Sequence, residues 1–150
     1  MPTRTSAKAI IIRDGKLLCV KGSDSEGVWY ALPGGGQKQC EPLPEALKRE
    51  CLEELSVDVV VRDLRFVRDY IRANHPCHGP DWHQLELMFL CDLNDGAECK
   101  AGAEPDTYQE GIEWLPVDRL GEYRLFPNAL RNAIPRMQDE DMPVYLGDGD

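Results

Sequence analysis

Residues 32–59 read LPGGGQKQCEPLPEALKRECLEELSVDV, and the reading of this stretch decides the rest of the chain. Three successive glycines, Gly34 to Gly36, point to a tight turn, because glycine reaches positive φ without the steric cost of a Cβ. Pro44 suits the first turn of a helix, where its missing N–H deprives nothing of a partner. From Pro44 to Leu55 the spacing is helical. At about 100° per residue, Glu50, Glu53 and Glu54 fall within an arc of roughly 100°. Leu47, Cys51, Leu52 and Leu55 fall on the other side and form a core stripe, which Lys48 interrupts.

Three carboxylates on one helical face repel one another by a few tenths of a kcal/mol per close pair, and their pKa values rise unless a cation compensates. Arg49 lies four residues before Glu53, at pairing distance, but one guanidinium does not neutralise three acids. A hard divalent ion does. Mg²⁺ takes oxygen ligands in octahedral geometry, keeps several waters and shares its remaining positions between a few carboxylates and substrate phosphates; Mn²⁺ can take its place. An acidic helix face on its own is usually solvated surface, and it is the glycine turn just before the helix that favours a metal here.

The spacing Gly35-x5-Glu41-x7-Arg49-Glu50-Cys51-x-Glu53-Glu54-x-Ser56-Val57 closely resembles the Nudix box of MutT-like hydrolases, G-x5-E-x7-R-E-U-x-E-E-x-G-U with U a bulky apolar residue. Leu32-Pro33-Gly34 resembles the family's usual lead-in. Ser56 departs from the pattern, standing where the family has glycine just past the helix end; a non-glycine left-handed cap costs about 1–2 kcal/mol. Cys51 fills the first apolar position as a small hydrophobe. Cys40 replaces the glycine often found before the first glutamate, and Leu43 is a poorer N-cap than serine or threonine.

The resemblance implies an α/β (α+β) fold, a mixed β-sheet between helices in an α/β/α sandwich. It implies Mg²⁺-dependent hydrolysis of a pyrophosphate bond in a nucleoside diphosphate linked to another moiety. A nucleoside triphosphate pyrophosphohydrolase is the alternative, and a non-catalytic nucleotide-binding module is the weaker one. Glu50, Glu53, Glu54 and the backbone carbonyl of Gly35 are then the implied metal ligands. Arg49 orients a box glutamate and Glu41 fixes the loop. Family members often add an acid from outside the box as metal ligand or base, which here is Glu110 in preference to Glu104. The attacking water loses its proton to a box glutamate or to Glu110.

A chain of 150 residues with 42% hydrophobic content is the size of one ordinary domain, taken as residues 1–150. Its formal charge of −10 disfavours stable binding of nucleic acid, which needs clustered Lys and Arg. A small phosphorylated metabolite or nucleotide fits better, since a bound metal inverts the local field. The start MPTRTSAKAIII lacks the apolar core of a secretory signal, and no apolar run reaches the length of a membrane span. The expectation is a cytoplasmic protein with no membrane association, for which a homodimer is compatible. Six scattered cysteines read as reduced thiols and not as a disulfide framework.

Around the box, residues 8–13 and 16–21 read as strands joined at Asp14-Gly15, a strong hairpin signal. Further strands are expected over 27–32, 58–71 (one long or two bent), 84–92 and 111–115. A short turn or helix follows over 116–120, and a closing helix over 126–137, interrupted by Pro135. His75, Cys77, His78 and His83 cluster in NHPCHGPDWH, yet their spacing matches no usual zinc pattern and a loop is the better reading. Specificity is expected in the long polar connections 71–82 and 101–110, with Trp82 and His83 as substrate contacts. Phe126-Pro127-Asn128 lies near a position where some Nudix proteins contact a base, but the start of a helix explains it equally well.

Overall fold

The computed structural model describes residues 2–75, 81–100 and 109–149. Alternating side chains make the first strand, β1 (Arg4–Arg13), two-faced: Ala7, Ala9 and Ile11 enter one core and Ile10 enters another. Asp14 and Gly15, both at positive φ, return the chain as β2 (Lys16–Asp24). The two strands pair only at Ile12↔Leu17 and Arg13↔Lys16 and then part. β2 continues antiparallel to β3 (Gly27–Ala31) on one side. β1 pairs with β4 (Gly34–Gly36) and, beyond the helix α1 (Leu43–Leu55), with one strand from the second half of the chain.

That strand is β6 (His83–Leu93), parallel to β1, and β5 (Val59–Ile71) lies antiparallel on its other side. β5 is one long strand whose pairing shifts between Val61 and Phe66, which accounts for its mixed alternation. β7 (Gln109–Pro116) adds to β2, β8 (Leu125–Phe126) to β3 and β9 (Tyr145–Asp148) to β5. The result is one mixed sheet in the order β8-β3-β2-β1-β6-β5-β9, with β4 on β1 and β7 on β2. Leu47, Cys51 and Leu55 of α1 pack on Ala7, Ala9 and Leu18 on one side. Leu130, Ala133 and Ile134, from the short α2 (Leu130–Ala133) and its end, join Ile10, Leu17 and Met88 in the core on the other. Helical segments therefore cover both faces, as the α/β/α expectation requires.

Four local expectations change. The glycine run is not a tight turn but the strand β4, in register Ser6↔Gly36, Ala7↔Gly35 and Lys8↔Gly34. Gly34 has φ 137°, and a Cβ there would lie 2.1 Å from the Ala7 carbonyl oxygen, so close approach to β1 is what demands glycine. The closing helix shrinks to one turn, since Phe126 is taken by β8 and Pro127 and Pro135 supply no N–H. Pro42, not Leu43, is the N-cap of α1, and it makes no side-chain cap. Leu52, at the far edge of the apolar stripe, is 54% exposed. The described cysteines, Cys19, Cys40, Cys51, Cys91 and Cys99, are unbridged, and Cys77 lies outside the described residues. Among the described residues no helix is long and apolar enough to cross a membrane.

Ser56 closes α1 in the left-handed conformation, φ 58° and ψ 32°, with its N–H on Leu52 O at 3.1 Å. A side chain in this conformation costs about 1–2 kcal/mol, part of which glycine gives back through unfolded-state entropy. Ser56→Gly should therefore raise stability by about 1 kcal/mol in a denaturant titration; an unchanged or lowered midpoint would contradict the strain.

Candidate active site

The helical wheel that groups the three acids also places Glu54 only about 20° from Leu47, so Glu54 turns inward. It is 6% exposed, and Gly34 N donates to its Oε2 at 3.3 Å. Glu50, one turn earlier, lies against Gly35: a Cβ on that glycine would be 2.7 Å from the Glu50 carboxylate. Glu53 stands outermost, with its side chain 36% exposed. The three carboxylates share one arc but sit at three depths, two of them against the backbone of β4.

Arg49 ties this arrangement together. Its Nε and Nη2 donate to the two oxygens of Glu41 at 2.8 and 3.0 Å, a bidentate fork. Nη2 also reaches Gly36 O at 3.0 Å, while Nη1 reaches Glu50 Oε1 at 3.1 Å and the Glu53 oxygens at 3.4 and 3.5 Å. The pair with Glu53, evident from helical spacing, is thus the longest; the dominant partner is Glu41, eight residues away in the preceding loop. Glu41 also accepts from Lys38 N at 3.0 Å, and Gln37 Nε2 donates to its carbonyl at 2.6 Å. Cys40, just before it, has φ 65°, the conformation that a glycine would adopt freely. The Arg49 guanidinium, helped by the Lys38 amide, holds the Glu41 carboxyl down at about 2.

The oxygen donors gathered here are carboxylates and backbone carbonyls, which suit Mg²⁺ or Mn²⁺ and not a soft-ligand metal. Among the described residues no three His, Cys, Asp or Glu side chains already close on a common point. Glu50, Glu54 and the Gly34-Gly35 backbone nevertheless make a tight oxygen-rich corner, with no space for a side chain at Gly35. An open surface depression of about 530 Å³ between Arg13, Arg62 and Asp92 includes none of these acids.

The other expected site residues fall elsewhere. Glu110, exposed at the start of β7, accepts a hydrogen bond from Ser23 Oγ near the end of β2, and the structure does not pair it with the helix acids. Glu104 lies outside the described residues. Trp82 is half-buried with the Arg4 guanidinium 5.4 Å over its ring. Arg4 also covers Gly36, so Trp82 is connected to the glycine strand through it. His83 belongs to β6 and not to a loop; its Nε2 is 2.7 Å from Asp69 and its Nδ1 3.2 Å from Thr3 Oγ1. His75 pairs with Asp148 at 2.9 Å, so the two described histidines of that cluster hold separate carboxylates; Cys77 and His78 are outside the described residues. Sequence reading missed a buried pair, Arg68–Glu86, whose only signal was a charge inside each of two otherwise strand-like runs.

A family model described as the NUDIX domain matches residues 2–137. The chain is 35% identical over 132 residues to a protein of Salmonella agona (strain SL483) named nucleoside triphosphatase NudI, covering 83% of this chain and 90% of that one. Among solved structures, a MutT NUDIX hydrolase from Burkholderia pseudomallei is similar with a TM-score of 0.64 and 30% identity, over 79% of this chain and 86% of the other. The E. coli ORF135 protein shares the fold, with a TM-score of 0.68 and 20% identity over 94% of each chain.

The Arg49–Glu41 fork sets an acid limit. A carboxyl held at about 2, below its ordinary 4.5, stabilises the fold fully above the ordinary value, and that contribution is lost as pH falls toward 2. Melting temperatures of the wild type should consequently drop more steeply between pH 5 and pH 2 than those of Glu41→Gln; parallel curves would contradict the fork.

Proposed function

This chain belongs to the Nudix family, and we propose that it hydrolyses the pyrophosphate linkage of a nucleoside diphosphate joined to a second moiety at the Glu50–Glu54 corner. It is a Nudix pyrophosphohydrolase acting on nucleotide-type substrates. The observation that carries the finer assignment is the convergence of Glu50 and Glu54 on the backbone of Gly34 and Gly35, beside a guanidinium that holds the loop, the glycine strand and the helix together.

Nudix hydrolases use a divalent metal; here the ion is Mg²⁺, with Mn²⁺ as a substitute, and Glu50, Glu53, Glu54 and the Gly35 carbonyl would hold it. When bound, it offsets phosphate charge and makes water a better nucleophile at neutral pH. The chain's own residues do the rest. Arg49 keeps Glu50 and Glu53 in one orientation, and Glu41 keeps Arg49 in place. One of the box carboxylates accepts the proton of the attacking water, since Glu110 is engaged with Ser23. Water adds to phosphorus, the bond to the bridging oxygen breaks, and two phosphorylated fragments leave. Arg4, beside Gly36, offers a positive charge to a departing phosphate.

A second reading is favoured by one observation, the name nucleoside triphosphatase carried by the 35%-identical relative. In that case the same bond type is cut in a nucleoside triphosphate, releasing a nucleotide and pyrophosphate. Either substrate is a compound of the cell interior, which fits a cytoplasmic enzyme.

Turnover of a panel of nucleoside triphosphates, sugar nucleotides and dinucleotides should require Mg²⁺ or Mn²⁺ and stop with EDTA. At about 100 times its dissociation constant the ion should also add about 2.7 kcal/mol of stability. Glu54→Gln keeps the volume but removes the charge, and should lower kcat by about 10²-fold or more while the fold survives. Full activity in metal-free buffer, or near-normal turnover by Glu54→Gln, would remove this helix from the mechanism.

A further inference from the structure

The register of β6 with its two neighbours brings three side chains into one row. β1 runs parallel to β6 with Arg4↔Gln84 and Thr5↔Leu85, which sets Thr3 beside His83. β5 runs antiparallel with Asp69↔Leu85 and Ile71↔His83, which sets Asp69 on the other flank. There the Nε2 of His83 lies 2.7 Å from Asp69 Oδ1, while its Nδ1 lies 3.2 Å from Thr3 Oγ1. A fourth strand, β9, extends the row: the Tyr145 hydroxyl donates to Asp69 Oδ2 at 2.7 Å.

Each of these bonds fixes the role of the next atom. An ionised carboxylate only accepts, so a neutral His83 carries its proton on Nε2, toward Asp69, and turns the lone pair of Nδ1 to the Thr3 hydroxyl. The bonds from His83 and Tyr145 hold the Asp69 carboxyl below the usual carboxylate range, which keeps it an acceptor. A hydroxyl on one imidazole nitrogen, with the other nitrogen oriented by a carboxylate, is the arrangement that activates an alcohol as a nucleophile; it is recognised by roles and not by sequence position. None of these bonds includes Glu50, Glu53 or Glu54. The row is also open to a ligand, since Thr3 is exposed and the His83 side chain is 38% exposed. His83 borders a surface depression of about 260 Å³ whose other lining residues are Ile71, Ala73, Asp81 and Trp82. Ile71 and Trp82 give it apolar surface and the Asp81 carboxylate repels an anion, so it suits a small neutral molecule with an apolar body.

We propose that Thr3 is a nucleophile, activated by His83 and oriented through Asp69, that takes the acyl group of small neutral esters with a good leaving group, an activity separate from hydrolysis at the Glu50–Glu54 corner. Thr3 Oγ attacks the carbonyl carbon of the ester as its proton passes to His83 Nδ1. The bond from that carbon to the alcohol oxygen breaks, the proton goes from His83 to the departing oxygen or, for a stable phenolate, to solvent, and Thr3 is left as an acyl ester. Water, losing its proton to the same nitrogen, then releases the carboxylic acid and restores the hydroxyl. His83 is the catalytic base, while Asp69 and Tyr145 are positioning residues. Because Thr3 is exposed, solvent carries the charge of the oxyanion, and the acceleration is that of general base catalysis alone, about 10²- to 10⁴-fold.

The test uses p-nitrophenyl acetate at about pH 8, where an ordinary imidazole is neutral. Peptide mass analysis should find an acetyl group on the Thr3 side chain, removable by hydroxylamine as an ester is and an amide is not. Acetylation at Thr3 should slow about 100-fold in His83→Ala and recover in part with added imidazole, which a merely structural histidine would not show. His83→Gln, which keeps hydrogen-bonding capacity but offers no base, should slow as far and keeps the test decisive if the smaller side chain unfolds the edge. Asp69→Asn should lower the maximal rate by about 10-fold or more with the half-saturating ester concentration unchanged. Thr3→Ala should lose the label and keep whatever nucleotide turnover the wild type shows, and Glu54→Gln should acetylate as the wild type does. Acetyl groups confined to lysines and the α-amine, a Thr3 label formed equally fast in both His83 variants, or loss of the label in Glu54→Gln would overturn the proposal.

Discussion

A single guanidinium stands between three carboxylates and their mutual repulsion. Arg49 forks onto Glu41 in the loop, bonds the Gly36 carbonyl on the strand and contacts Glu50 and Glu53 on its own helix. The partners come from three elements, so these bonds fix loop, strand and helix relative to one another. Such charge-assisted, bidentate contacts have directional as well as energetic value. Glu54 lies outside this reach and is oriented from the other side, by the N–H of Gly34. Glu50 and Glu53 are thus held by a cationic contact and Glu54 by one from the backbone.

The glycine strand makes this possible because it is thin. Gly34 approaches the Ala7 carbonyl too closely for any side chain, and Gly35 leaves the same room for the Glu50 carboxylate. Ala7 and Ala9 let α1 settle onto β1, and the alternation of that same strand sends Lys8 to the opposite face. A few residues of β1 therefore serve two environments: an acidic corner on one side and, through Lys8, Arg68 and Glu86, a small polar-ended cavity on the other.

What was legible in the sequence was what local spacing determines. The helix that carries the box acids, the hairpin at Asp14-Gly15 and the strand character of β5 follow from neighbours within a turn or a strand length, while the left-handed position at Ser56 followed from the glycine that the family pattern has there. The misses share a cause, which is partners distant along the chain. Gly34 to Gly36 read as a turn because their pairing with β1 leaves no mark in a run of glycines. Arg49 read as a partner of Glu53 because helical spacing shows that contact and hides the stronger one to Glu41. Glu54 read as part of an acidic face set apart from the core stripe, although its wheel position borders Leu47. Arg68 and Glu86 meet only when β5 and β6 align. The helix over 126–137 shrank because β8 and two prolines claimed its ends.

Crystals grown with Mn²⁺ and a non-hydrolysable nucleotide analogue, measured at a wavelength where manganese scatters anomalously, would locate the ion directly. The anomalous peak is expected against Glu50 and Glu54 next to the Gly35 carbonyl, with Arg49 still forked onto Glu41. A peak at Asp92 and Asp95 or at Asp69 and Asp148, with the α1 carboxylates free of metal, would contradict it.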